Sequence, residues 1–136
     1  AEIAALHLQY LGSRAEMVSR RLMAQMRNPR PQGPAVARAI VAAQPDMLEA
    51  VCETLVGRLG SEDAILRSHA ASELMWLSMP YSESLEAAVP AIAVALNRHP
   101  TGGGVLAQTL ANIGTREARR AYNDDLHRRR LADAGR

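Results

Sequence analysis

Apolar residues recur along this chain at helical spacing. Leu48, Val51, Cys52, Leu55 and Leu59 share one face of a helix, and Leu66, Ala70, Leu74 and Leu77 share another. Breakers and caps divide the pattern into helix-length pieces. Gly12 closes the first, and Ser13-Arg14-Ala15-Glu16 has the form of a capping box. The second ends at Asn28-Pro29-Arg30-Pro31-Gln32-Gly33-Pro34, the most loop-like stretch of the chain. Pro34 suits the first turn of a helix running to about Gln44. Pro45-Asp46 opens the next, with Asp46 as N-cap and Glu49 at the third helical position, and Gly60-Ser61 ends it. Asp63 to Met79 is then helical up to Pro80, Ser82 caps a helix reaching Asn97, and His99 to Gly104 is a loop. Val105 to Ile113 is helical, Gly114-Thr115 breaks and recaps, and a polar helix continues to about Leu131. Eight helices follow, mostly with connectors of two to seven residues, so sequential neighbours should pack antiparallel.

An internal period overlies this pattern. Ala5/Leu8/Leu11, Ala37/Ile40/Ala43, Ala71/Leu74/Leu77 and Ala107/Leu110/Ile113 repeat one Ala-x-x-(Leu/Ile)-x-x-apolar phrase, at separations of 32, 34 and 36 residues. Leu11-Gly12-Ser13-Arg14 also matches Ile113-Gly114-Thr115-Arg116, 102 residues on, which is three times 34. One helix pair per unit at this length is the mark of an α-solenoid. Chance repetition in an Ala- and Leu-rich helical chain is the competing explanation, and the even spacing argues against it.

Three segments resemble HEAT repeats. Leu66-Arg67-Ser68-His69-Ala70-Ala71-Ser72-Glu73-Leu74, with Asp63 ahead of it, resembles the start of a HEAT second helix. Ser84 to Leu96, with Pro90 inside it, resembles a first helix with its kinking proline. Ile113-Gly114-Thr115-Arg116-Glu117-Ala118 is similar to the turn between repeats. The chain departs from the pattern where Gly102-Gly103-Gly104 replaces the Asp/Arg region, and the 34–44 helix lacks a following Gly. The resemblance implies an all-α, right-handed α-α superhelix of about four antiparallel helix pairs, with a scaffold or adaptor role. Residues 1–136 then form a single domain, with repeat boundaries near 13, 46, 82 and 115.

Composition supports the helical reading and narrows the chemistry. The chain has 136 residues, enough to bury a real core. Ala, Leu, Met and Val supply its apolar share, there is no Phe, and Trp76, Tyr10, Tyr81 and Tyr122 are the aromatic residues. All 16 basic residues are Arg, and the net charge of +2 is too small to require a polyanionic partner. The one cysteine, Cys52, excludes an internal disulfide and a cysteine-based zinc cluster, and reads as a small core residue. The methionines read mostly as core filler. No apolar run reaches about 18 residues, so no membrane span is expected, and no secretory h-region is visible. A cytoplasmic location is the default. The chain opens on Ala1, so preceding sequence, and membership of a longer polypeptide, are expected.

Candidate sites are few. In the helix from Asp63, Ile65, His69 and Trp76 form a second stripe beside Leu66, Ala70, Leu74 and Leu77, and together they span about half the circumference. Either that second stripe packs between repeats, or Trp76 with Met79 and Tyr81 anchors a partner. The binding face is placed on the second helices of the pairs, around Arg38, Arg67, Ser68, Ser72 and Trp76. His7, His69, His99 and His127 lie in separate pieces without ligand spacing, so no metal and no cofactor are expected. No catalytic arrangement is proposed. Glu62-Asp63 and Asp124-Asp125 read as helix-start or solvated charges, and Thr101-Gly102-Gly103-Gly104 as a flexible loop rather than an anion cradle. Arg116, Arg119, Arg120, Arg128, Arg129 and Arg130 cluster near the C-terminus. Asp124 is expected to pair with Arg120 and Arg128, and Asp125 with Arg129, giving a polar cap; the alternative is a nucleic-acid or acidic-partner patch. The functional expectation is therefore a non-catalytic protein–protein interaction scaffold. The first alternative is nucleic-acid binding through the arginine-rich end, and the second is a HEAT-like enzyme, a lyase or an enzyme subunit.

Overall fold

A computed structural model of the chain describes residues 12–18, 20, 21, 23, 24, 36–99 and 103–136, and every regular element among them is helical. Residues 12–18, 20, 21, 23 and 24 are helical, and Met23 reaches the core. Six complete α-helices follow: α1 (Val36–Ala43), α2 (Leu48–Leu59), α3 (Ala64–Ser78), α4 (Val89–Arg98), α5 (Gly103–Ile113) and α6 (Arg116–Ala134). Two 3₁₀ segments, Pro45–Met47 and Glu83–Ala88, precede α2 and α4. No helix among the described residues is long and apolar enough to cross a membrane. The Ala5/Leu8/Leu11 phrase and the Asn28–Pro34 loop lie outside the described residues.

Side-chain caps form at two helix starts, at Asp63 and at the expected Thr115. Asp63, in extended conformation, accepts from the amides of Ile65 at 2.8 Å and Leu66 at 3.4 Å. Thr115 accepts from the amide of Ala118 at 3.2 Å. Ahead of Thr115, Gly114 has φ +70, and its amide reaches back to the Leu110 carbonyl at 3.1 Å. That left-handed turn suits glycine and closes α5.

Other boundaries differ from the sequence reading. Gly12 and Ser13 are themselves helical, so Ser13 lies inside the helix rather than at its N-cap position. Asp46 is not an N-cap: Gln44 is the non-helical residue at that position, Pro45–Met47 tighten into a 3₁₀ turn, and Gln44 Nε2 donates to the Asp46 carboxylate at 3.5 Å. Ser82 has helical dihedrals and caps nothing with its side chain. The reason is Pro90, the second residue of α4. Proline has no N–H and collides with the carbonyl four residues earlier, so an α-helix cannot run through it from Ser82. The chain uses 3₁₀ turns up to Ala88 and starts α4 at Val89, where a first-turn proline is tolerated. At α5 the helix starts at Gly103 rather than Val105, because first-turn amides need no intrahelical partner.

The packing follows chain order. The α1, α3 and α5 helices touch in succession, as do α2, α4 and α6, while α2 packs on α3, α4 on α5 and α5 on α6. The four-residue connector between α2 and α3 requires them to run antiparallel. One apolar cluster runs through these contacts from Met23 to Ala118. Its fully buried members include Ile40 of α1, Leu74 of α3 and Leu110 of α5, the central residues of three of the repeated phrases. Ala37, Ala71, Leu77, Ala107 and Ile113 of those phrases are buried too.

Polar bonds also join successive helices of this row. Asn112 Nδ2 donates to Ser78 Oγ at 3.0 Å across 34 residues, and the Arg38 amide donates to Glu73 Oε2 at 3.3 Å across 35. The buried Ser78 and Thr109 hydroxyls donate within their helices, to the carbonyls of Met75 at 2.6 Å and Val105 at 2.9 Å. Buried hydroxyls are tolerated when bonded in this way.

Candidate interaction surface

On α3, burial divides the circumference sharply. Leu66, Ala70, Ala71, Glu73, Leu74, Leu77 and Ser78 face inward. The expected second packed stripe does not form, since Ile65 is 55% and Trp76 is 44% exposed. At about 100° per residue, Ile65, Ser68, Ser72, Trp76 and Met79 follow one another at steps of three and four and form a ridge on the outward side. Met79, just past the end of α3, is 53% exposed. The inward arc is filled by α2, α5 and α1, and among the described residues none of these helices covers Trp76. Ser68, Ser72 and Trp76 of the expected binding face lie on this ridge.

Arg38 joins them from α1. Its guanidinium carbon stands 5.0 Å from the centre of the Trp76 ring, within cation–π range. Behind it, Glu73 is only 3% exposed. One carboxylate oxygen accepts the Arg38 amide, and the other lies 3.9 Å from Arg38 Nε without a hydrogen bond. Burial pushes the Glu73 carboxyl above the usual carboxylate range, while the Arg38 amide and guanidinium pull it back part of the way. Glu73 was not among the expected site residues, although a signal was present. It falls on the stripe Leu66–Ala70–Glu73–Leu77, a charge at a core position, which calls for a partner. Nδ1 of His69 is also buried without a hydrogen bond.

Arg67 has a different position. Its Nη1 donates to the carbonyls of Ser61 and Glu62, both at 2.7 Å, and ties the α2–α3 turn to α3. Arg67 and Ser68 border a cavity of about 240 Å³ with His99, over an apolar floor that includes Leu59, Ala71 and Leu106. Among the described residues, neither Trp76 nor a carboxylate lines it. Among the described residues, no group of three or more His, Cys, Asp or Glu side chains could hold a metal ion. Cys52 is buried in the core, where burial pushes its thiol up to about 11.

On α6 the expected pairing of Asp125 with Arg129 forms, whereas the pairing expected of Asp124 does not. Asp125, expected to be solvated, is 4% exposed. Its carboxylate lies 2.8 Å from Arg129 Nε and 3.7 Å from Arg128 Nη2, ion pairs without hydrogen-bond geometry whose two countercharges make its burial tolerable. The Asp124 carboxylate pairs with neither Arg120 nor Arg128; Arg128 Nε instead donates to the Asp124 carbonyl at 3.2 Å. Arg119 Nε donates to the Gly114 carbonyl at 2.9 Å. Comparisons of the chain with protein-family models, curated proteins and solved structures find no significant match.

Proposed function

We propose that this chain is a HEAT-like helical-repeat scaffold that binds another protein through the α3 ridge. Support for the repeat comes from the agreement between a sequence period and physical contacts. The phrases centred on Ile40, Leu74 and Leu110 supply equivalent buried residues on three helices that touch in order. Such stacks give each unit contacts chiefly with its neighbours and leave an extended surface for partners. A cytoplasmic adaptor fits this reading.

The observation that carries the binding role is the ladder of exposed Ile65, Trp76 and Met79, with Arg38 stacked beside it. Single exposed apolar residues are ordinary, but three aligned on one helix with Trp and Arg adjoining have the composition of an interface hot spot. Ser68 and Ser72 between them offer hydroxyls without charge, so the centre of the ridge can be desolvated at small cost.

Co-purification from the native host with wild type, Trp76→Ala and Arg38→Ala tests the proposal. A partner retained by wild type and lost from Trp76→Ala, with helicity unchanged by circular dichroism, is the expected outcome. The same partners on wild type and both variants would contradict it.

A further inference from the structure

The α6 helix carries an observation that the α3 ridge does not use. It has six arginines against Glu117, Asp124, Asp125 and Asp133, so the chain's whole net charge of +2 arises there. Its two sides differ in character. On the inward side Ala118 and Asp125 are buried, Ala121 and Tyr122 pack on the core, and α4 and α5 cover them. The ion pairs of Arg128 and Arg129 to Asp125 lie along this side. At about 100° per residue, Arg116, Arg119, Arg120, Asn123, His127 and Arg130 share the opposite side. All six are exposed.

None of those four arginines forms an ion pair with an acid among the described residues. Asp124, whose carboxylate was to neutralise Arg120, stands at the margin. From Arg116 to Arg130 the stripe is about 21 Å long at ~1.5 Å per residue. Arg116 also sits in the first turn of α6, where the helix dipole disfavours a cation. Among the described residues no ion pair compensates it, which is the pattern expected where function sets the residue.

We infer that this face of α6 binds the sugar-phosphate backbone of a duplex nucleic acid without reading its sequence. The inference goes beyond the α3 ridge and stands independently of it. Guanidinium groups match phosphate oxygens in a two-pronged geometry, and Asn123 adds an amide donor among them. A protein partner would need an apolar centre, and the stripe has none; exposed Leu131 lies at its edge. Interfaces with nucleic acid are more polar and more positive than those with protein. Single strands call for aromatic stacking platforms, and Tyr122 faces the core. A membrane surface would require the apolar side of the helix, which α4 and α5 already cover.

Fluorescence anisotropy with a labelled duplex of about 20 base pairs tests this, in a series from about 20 to 200 mM NaCl. Four phosphate contacts give a slope of log affinity on log salt of about −3 to −4. The R116E/R120E/R130E variant should bind at least about tenfold more weakly at the lowest salt, with helicity retained. R98E, exposed on α4, should stay within about twofold of wild type. If charge reversal lowers helicity, R120Q/R130Q serves in its place, and its slope should be shallower by about 2. Absence of binding at the lowest salt, a slope near zero, or unchanged binding by a folded variant would overturn the inference. Tighter binding of polyglutamate or of anionic phospholipid vesicles than of the duplex, at equal ionic strength, would overturn it as well.

Discussion

Arg38 joins the fold to the proposed binding ridge, and replacing it with Gln separates two interactions that differ in their pH dependence. The substitution keeps the backbone amide that donates to Glu73 and removes the guanidinium. Loss of the stack on Trp76 costs about 0.5–1 kcal/mol, the range for exposed cation–π pairs, at any pH between about 4 and 8. Loss of the charge 3.9 Å from Glu73 would cost roughly 4 kcal/mol at an effective dielectric of 20. The Arg38 side chain is 41% exposed, however, and solvent screening reduces that to about 1–2 kcal/mol. The expected destabilisation near pH 7 is therefore about 1.5–3 kcal/mol, or roughly 5–10 °C in Tm for a chain of this size.

Burial places the folded-state pKa of Glu73 above its ordinary value of 4.5. The folded protein thus binds that proton more readily than the unfolded chain, and stability falls as pH rises from 4.5 through the folded value. Removing Arg38 raises the folded value further. The electrostatic loss is complete only above it and disappears below 4.5. Urea denaturation followed by circular dichroism from about pH 4 to 8 should show the two proteins converging on acidification, to within the stacking contribution. A difference that stays constant, or widens toward acid, would refute the reasoning.

Other substitutions test separate parts of the fold. Leu74→Ala, at a fully buried position in the centre of α3, should cost about 3–4 kcal/mol in denaturation while leaving the m-value unchanged. Asp63→Ala removes the acceptor for the Ile65 and Leu66 amides and should cost about 1 kcal/mol by the same measurement. The Cys52 thiol, pushed up to about 11 in the fold, ionises first in the unfolded chain. Wild type should thus lose roughly 2–3 kcal/mol between about pH 9 and 11 beyond any loss by Cys52→Val, and parallel curves would remove the buried thiol as the cause.

The sequence carried the helical architecture because helices are specified locally. Asp63 and Thr115 stand where their side chains can cap, Gly114 where a left-handed turn is needed, and the Ala37, Ala71 and Ala107 phrases fall on inward faces. Helix starts near prolines were less legible. Pro45 and Pro90 each favour a first turn, but the 3₁₀ segments ahead of α2 and α4 depend on how the chain must arrive there. Placement of Trp76 required three dimensions: its helix has a broad apolar surface, and the positions of α1, α2 and α5 decide which part they cover. The same holds for Asp125. Spacing showed that it could meet Arg129, but burial beneath Arg128 and Arg129 follows from α6 lying on α4 and α5. Glu73 was readable from its place in an apolar stripe, whereas its partner Arg38, 35 residues earlier, was not.

The central claim is that the helices stack in chain order, each unit meeting chiefly the next. Spin labels at Ala42 on α1 and Ala111 on α5, both exposed, test it most directly in a Cys52→Val background. Two interhelix steps of about 8–10 Å place the two axes roughly 16–20 Å apart, so a dipolar distance of about 20 Å is expected. A distance near 10 Å, with strong line broadening, would place α1 and α5 around a shared centre and contradict the stack.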